Sequence, residues 1–183
     1  VMSEFKECLV TYIDFLGFKY FIENGEDQDK LELISLLHQI KNWERNFSVK
    51  NEDDGRMTIQ SSITAFSDHL VMSHQLSSPG LSKTIDLGSV LAMMQNITRI
   101  AVRAACFGLL VRGAMVVGSL YHCDGVVVGE ALNRAHDLES KIAIYPRVVI
   151  SSELFKKGLI LGGGNQSGHD SLWLEDSDRI PYL

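Results

Sequence analysis

Apolar and polar positions alternate between two periods along this chain, and the switches mark its elements. Leu9-Val10-Thr11-Tyr12-Ile13 is β-branched and aromatic and reads as a strand ending at Asp14. A turn through Phe15 to Phe18 follows, and Lys19-Tyr20-Phe21-Ile22 resumes with helical spacing. From Asp27 to Phe47, Leu31, Ile34, Leu37 and Ile40 recur at helical intervals, and the charged run from Asn51 to Gly55 reads as a turn. Ile59 to Phe66 and Leu70 to Ser73, joined by Ser67-Asp68-His69, predict a hairpin with Asp68 at its tip. After a loop through Ser77-Ser78-Pro79-Gly80, the region from Ile85 to Val111 predicts an amphipathic helix capped by Asp86, with Leu87, Leu91, Met94, Ala101 and Ala105 toward the core. Strands are expected at Leu110 to Gly118, Val126 to Val128 and Arg147 to Ile150, and a late one around Trp173 to Asp176. Helices are expected at Gly129 to Ser140 and, with a serine cap, at Ser152 to Lys157.

This order is not a steady alternation of strand and helix. It predicts an α+β fold with an antiparallel hairpin in mid-sheet, helices on one face and the other face left for a partner or ligand. The chain shows no internal repeat or linker, so a single domain over residues 1–183 is expected. Gly162-Gly163-Gly164 reads as a loop rather than a phosphate nest, because no helix start follows it.

Composition narrows the function. With 17 basic against 23 acidic residues the net charge is −6, which argues against binding along a nucleic-acid backbone. Asp86, Gln95, Asn96, Arg99 and Arg103 interrupt the longest apolar region, so no membrane span is expected. The 3 cysteines are widely spaced, form no CxxC pair and fit a reducing, cytoplasmic compartment.

The chemistry concentrates on Asp14 and Asp68, each in or beside a turn next to a strand. Hard divalent cations that serve phosphates take one or two carboxylates as ligands. Aspartate in a turn also commonly does no more than hydrogen-bond nearby amides, and residue type alone leaves both readings open.

Ile13-Asp14-Phe15-Leu16-Gly17-Phe18, Phe66-Ser67-Asp68, Gly129-Glu130-Ala131-Leu132-Asn133-Arg134-Ala135 and Arg147 before Val148-Val149-Ile150 occur in that order. Together they resemble the motifs of the class III nucleotide cyclase catalytic domain, a ferredoxin-like fold with a mostly antiparallel sheet. The resemblance has departures. Asp137 stands where purine cyclases carry a transition-state arginine, and Thr64 and Val126 stand where they carry the adenine-reading lysine and aspartate. Arg112-Gly113-Ala114, Gly129-Glu130-Ala131, Leu138-Glu139 and Tyr145-Pro146-Arg147-Val148 look closer to the bacterial pyrimidine cyclases of the Pycsar antiphage systems.

That resemblance implies conversion of UTP or CTP to the 3′,5′-cyclic nucleotide and pyrophosphate, with manganese or magnesium as two ions per site. It implies a homodimer with sites at the interface, and a downstream effector reached through the cyclic product. Asp14 and Asp68 would hold metal, with the Phe15 carbonyl as a further ligand. The amides from Phe15 to Phe18 would face phosphate, with Gly17 allowing close approach. Arg147 would pair with phosphate, or alternatively make a surface or helix-end salt bridge. Asn133 would contact the ribose or transition state, or cap its helix. Arg112 would contact substrate or form a buried ion pair, and Arg134 and Arg103 are further sources of transition-state charge. Tyr12, Phe66, Tyr121 and His122 would shape a base pocket or simply pack in the core. Two other readings stay open, a purine cyclase with divergent base reading and a degenerate domain that binds nucleotide without turnover. A bare scaffold or dimerisation domain is a further one.

Overall fold

A computed structural model of the chain describes residues 4–43, 46–50, 56–76, 87–156, 174–175 and 181–182. In chain order the elements are β1 (Lys6–Leu16), α1 (Phe18–Asn24), α2 (Asp27–Lys41), β2 (Asn46–Lys50), β3 (Arg56–Phe66), β4 (His69–Gln75), α3 (Leu87–Ala105), β5 (Leu110–Cys123), β6 (Val126–Val128), α4 (Glu130–Lys141), β7 (Val148–Ile150), α5 (Ser152–Lys156), β8 (Leu174–Glu175) and β9 (Pro181–Tyr182). They form a sheet of order β2-β3-β4-β1-β5-β7-β9-β8, with β6 paired to β5. Among the described residues, β5 with β7 is the parallel pair, and the remaining pairings are antiparallel. The α+β architecture with a central antiparallel hairpin is therefore as expected.

Strand periodicity decides what lies on each face. Along β1, Leu9, Ile13 and Phe15 enter one core with Leu33, Leu36 and Ile40 of α2 and Met93, Ile97 and Ile100 of α3. Each aliphatic side chain fully buried there contributes about 1.5–3 kcal/mol. The alternate residues Cys8, Val10 and Tyr12 enter a second core with Ala131 and Ala135 of α4. Helices on one face were expected, but α4 covers the opposite face. The β5 to α4 to β7 crossover, joining the parallel pair, places it there. Gly118 permits the close approach, since a Cβ there would stand 3.3 Å from that of Ala131.

Several boundaries differ from the sequence expectation. The helix from Asp27 ends at Lys41, and Phe47 lies in β2 opposite Ile59. The helix expected from Ile85 to Val111 ends at Ala105, before Gly108 at a φ of 72°, and the strand expected from Leu110 begins at that residue. That strand runs on to Cys123 and turns at Asp124-Gly125, both at positive φ (51° and 79°), the pattern of a tight two-residue hairpin. The serine cap expected for α5 is Ser151, whose hydroxyl accepts from the Leu154 N–H at 3.4 Å. Asp86, the Ser77 to Gly80 loop, the Asn51 to Gly55 turn and Gly162 to Gly164 lie outside the described residues. Cys8, Cys106 and Cys123 are free thiols. Among the described residues, no helix is long and apolar enough to cross a membrane.

Candidate active site

The same alternation that sends Ile13 and Phe15 into one core sends Asp14 to the α4 face. Asp14 lies inside β1, two residues before the strand ends, and is only 8% exposed. Its cross-strand neighbours are His69 on β4 and Arg112 on β5. Asp68 follows Ser67 in the two-residue turn between β3 and β4, where Ser67 adopts a φ of 53°. The Phe15 N–H donates to the Asp68 carbonyl at 2.9 Å, which draws this turn against β1. That amide is therefore engaged, contrary to the expectation that it faces phosphate.

One ligand atom from each of Asp14, Asp68 and His69 lies within 4.8 Å of the others. His69 Nδ1 is 2.9 Å from Asp68 Oδ1 and Nε2 is 3.9 Å from Asp14 Oδ1, so the imidazole lies between the two carboxylates and contacts Asp68 the more closely. This donor set fits a hard divalent cation, with two carboxylates as ligands and the imidazole as a third donor or as the partner that orients Asp68. Sequence reading missed His69. Its signal is the register of a two-residue hairpin, which sets the residue after Asp68 beside the β1 carboxylate.

Asp14, Phe15, Gly17, Phe18 and Asp68 line one cavity of about 420 Å³. Gly17, the N-cap of α1, has a φ of 89°, a left-handed conformation that glycine adopts without strain. Lys19 and Glu23 also line the cavity and pair with each other at 3.8 Å. Lys19 is a cation at the site that the sequence reading did not single out.

Beside the carboxylates stands an aromatic wall. The His69 ring stacks on Phe66 at 5.4 Å and lies 5.3 Å from Tyr12, which makes a T-shaped contact with His136 at 5.5 Å. Burial, and then Glu139, Asp14 and Asp68, push the Tyr12 phenol up to about 12, so it stays neutral. Tyr121 lies apart, packed against Phe5 at 6.3 Å. His122 bridges Thr64 Oγ1 at 2.9 Å and Ser73 Oγ at 2.8 Å.

The basic candidates divide. Arg112 Nη2 donates to Asp14 Oδ2 at 2.8 Å, and its Nε stands 2.5 Å from Glu139 Oε1, a charge contact whose N–H is not aligned as a hydrogen bond. Glu139 is 3% exposed, and burial raises its carboxyl above the usual range although Arg112 opposes the shift. Arg147 is buried outside the cavity, donating to the carbonyl of Ile142 at the end of α4 at 3.0 Å and lying over the Tyr145 ring. Arg134 donates to Val117 O and pairs with Glu153, and Arg103 donates to Gln39 on the far face. Asn133 is exposed on α4 outside the cavity, and the N-cap is Gly129, so Asn133 does not cap this helix.

No protein-family model matches the sequence, and no curated protein matches it. Solved structures do. The chain is similar to the adenylyl cyclase CyaB from P. aeruginosa at 16% identity and a TM-score of 0.55, covering 100% of this chain and 94% of that one. It is similar to the guanylate cyclase domain of RhGC from Catenaria anguillulae in complex with GTP at 13% identity and a TM-score of 0.55, covering 99% and 95%. The catalytic core of a rhodopsin-guanylyl cyclase with converted specificity, in complex with ATPalphaS, matches at 14% identity and a TM-score of 0.52, covering 98% and 94%. At such identities the likeness speaks for fold rather than activity. A mostly antiparallel sheet with Asp14 on its central strand and Asp68 on the adjoining hairpin gives this chain the fold of the class III nucleotide cyclase catalytic domain.

Proposed function

We propose that this protein cyclises a pyrimidine nucleoside triphosphate, UTP or CTP, to its 3′,5′-cyclic nucleotide. The observation that carries this reading is the convergence of Asp14 and Asp68, 54 positions apart in sequence, on one cavity with His69.

The reaction forms a bond between the ribose 3′-oxygen and the α-phosphorus, breaks the bond from that phosphorus to the β-bridging oxygen, and releases pyrophosphate and the hydroxyl proton. Such transfers depend on positioning and on neutralising charge. Two manganese or magnesium ions at Asp14 and Asp68, with the Phe15 carbonyl as a further oxygen, would acidify the 3′-hydroxyl and neutralise the phosphates. The chain's own residues do the rest. β1 holds Asp14 rigidly between two strands, and the bond from the Phe15 N–H to Asp68 fixes the second carboxylate beside it. Gly17 and Phe18 line the cavity in which the triphosphate would lie, beside Lys19, which pairs with Glu23. By the same resemblance Asn133, exposed on α4, would contact the ribose or transition state in a homodimer with sites at the interface.

The pyrimidine assignment is supported at the positions that read adenine in purine cyclases. Thr64 has its hydroxyl tied to His122, and Val126 is an exposed apolar residue on β6. Neither carries charge toward a purine edge. With the resemblance of its motifs to Pycsar cyclases, this points to a second messenger for antiphage defence, read by a downstream effector. A purine cyclase is the second reading, favoured by the names of the similar structures.

Incubating the protein with Mn²⁺ and each of the four ribonucleoside triphosphates, with products identified by mass spectrometry beside Asp68→Asn, tests the proposal. Cyclic UMP or cyclic CMP, absent from the variant, is expected. A cyclic purine would overturn the specificity, and binding without any cyclic product would mark a nucleotide-binding domain.

A further inference from the structure

Behind the carboxylate cluster, side chains from three elements share one guanidinium. Arg112 on β5 meets Asp14 of β1 through Nη2 at 2.8 Å and Glu139 of α4 through Nε at 2.5 Å. Asp14 and Glu139 are 8% and 3% exposed, and Arg112 is partly buried, so these charges are shielded from solvent and their interactions are stronger than those of a surface pair.

A guanidinium beside a metal-binding carboxylate is ordinarily a competitor for the cation. Its planar fork matches a carboxylate with two parallel N–H bonds, and in that arrangement both oxygens of Asp14 would be taken. Here the fork is divided. Glu139 lies against the Nε side as a charge contact without an aligned hydrogen bond, and Asp14 Oδ2 receives Nη2 alone. Asp14 Oδ1 is left on the side of His69, 3.9 Å from Nε2, where Asp68 also converges. Glu139 also supplies a negative charge that balances the arginine.

We infer that Arg112 and Glu139 are positioning residues that orient Asp14, so that α4 sets the affinity of the site for a divalent cation. This assigns Arg112 to Asp14 rather than to the substrate. It rests on the reading of Asp14, Asp68 and His69 as a cation site, and its test separates the two.

Mn²⁺ binding to the full chain is measured from the electron paramagnetic resonance of free Mn²⁺, with thermal melts in parallel, for the wild type, Glu139→Gln, Glu139→Asp, Arg112→Lys and Asp137→Asn. Loss of a partner that orients a ligand costs roughly 10- to 100-fold in metal affinity. Glu139→Gln and Arg112→Lys are each expected to raise the Mn²⁺ Kd by about tenfold or more on that basis. Glu139→Asp should keep most of the affinity. Asp137→Asn removes the same charge from the same helix, where Asp137 pairs with Lys141 at the surface, and should bind as the wild type does. Glu139→Gln binding Mn²⁺ as tightly as Asp137→Asn overturns the inference. So does tighter binding by Arg112→Lys, which would make Arg112 a competitor only. If Glu139→Gln does not fold, Arg112→Lys carries the test. A wild-type chain that binds no Mn²⁺ overturns the cation-site reading itself.

Discussion

The backbone N–H of Phe15 donates to the carbonyl oxygen of Asp68 at 2.9 Å, so the strand bearing one carboxylate is stitched to the turn bearing the other. The two aspartates share this link but differ in surroundings, since the Asp14 side chain is 11% exposed and salt-bridged to Arg112 while that of Asp68 is 37% exposed.

That difference separates function from stability. Asp14→Asn and Asp68→Asn are both expected to abolish Mn²⁺ binding and product formation. Only Asp14→Asn should lower stability appreciably, by about 1.5–3 kcal/mol, the worth of a buried hydrogen bond to a charged group. Asp68→Asn should cost less, within about 1 kcal/mol, the worth of its half-exposed pairing with His69. Urea unfolding beside metal titration checks both, and equal stability losses would show that Asp14 is not held as described.

Acid should weaken the fold through two histidines that the site does not use. Burial lowers His74 and His122 from 6.5 to about 4. The unfolded chain takes up these protons near pH 6.5 and the folded chain only near pH 4, so stability is full above 6.5 and falls as the pH drops through that window. Each histidine accounts for on the order of 2–3 kcal/mol across it. Unfolding midpoints at pH 7 and pH 4.5 should show this slope, and His122→Gln should flatten it. An unchanged slope would mean that His122 takes up its proton as readily in the folded chain as in the unfolded one.

Gly113 tests the central pairing. A Cβ on Gly113 would collide with the Tyr12 carbonyl, where β5 pairs closely with β1 beside Asp14 and Arg112. Gly113→Ala is expected to cost about 1–3 kcal/mol, the usual penalty of overpacking. Because the backbone must shift next to Asp14, Mn²⁺ affinity should fall with it. A stable variant with unaltered Mn²⁺ affinity would count against this geometry.

At Gly17 the prediction concerns backbone conformation. With a φ of 89° and no nearby backbone to obstruct a Cβ, Gly17→Ala should cost about 1–2 kcal/mol from left-handed strain alone. A melting temperature equal to that of the wild type would show that this turn relaxes.

How far the sequence revealed the molecule follows from the range of each interaction. Strand alternation and turn chemistry are local, and they located β1, the Asp68 hairpin and the cavity-lining residues from Phe15 to Phe18. Register is not local. His69 became part of the site only through pairing across β1, and Lys19 through the way α1 leaves the strand. The face on which α4 lies, and hence the partnership of Glu139 with Arg112, follows from a crossover that no window of neighbouring residues displays. The Ile85 to Val111 region misled for the opposite reason, since apolar spacing continues through Gly108 while the backbone reverses there.

The placement of the two carboxylates also divides the labour of adapting to different ions. Asp14 sits on a strand hydrogen-bonded on both sides, so its amide neighbours should exchange hydrogen only when the sheet itself opens. Asp68 rides on a two-residue turn with one serine already in a left-handed conformation, where a small torsional change displaces the side chain without disturbing the core. Discrimination between cations of different radius, and its drift over evolution, would therefore be expected to accumulate at Ser67 and its neighbours, with the strand acting as the fixed reference.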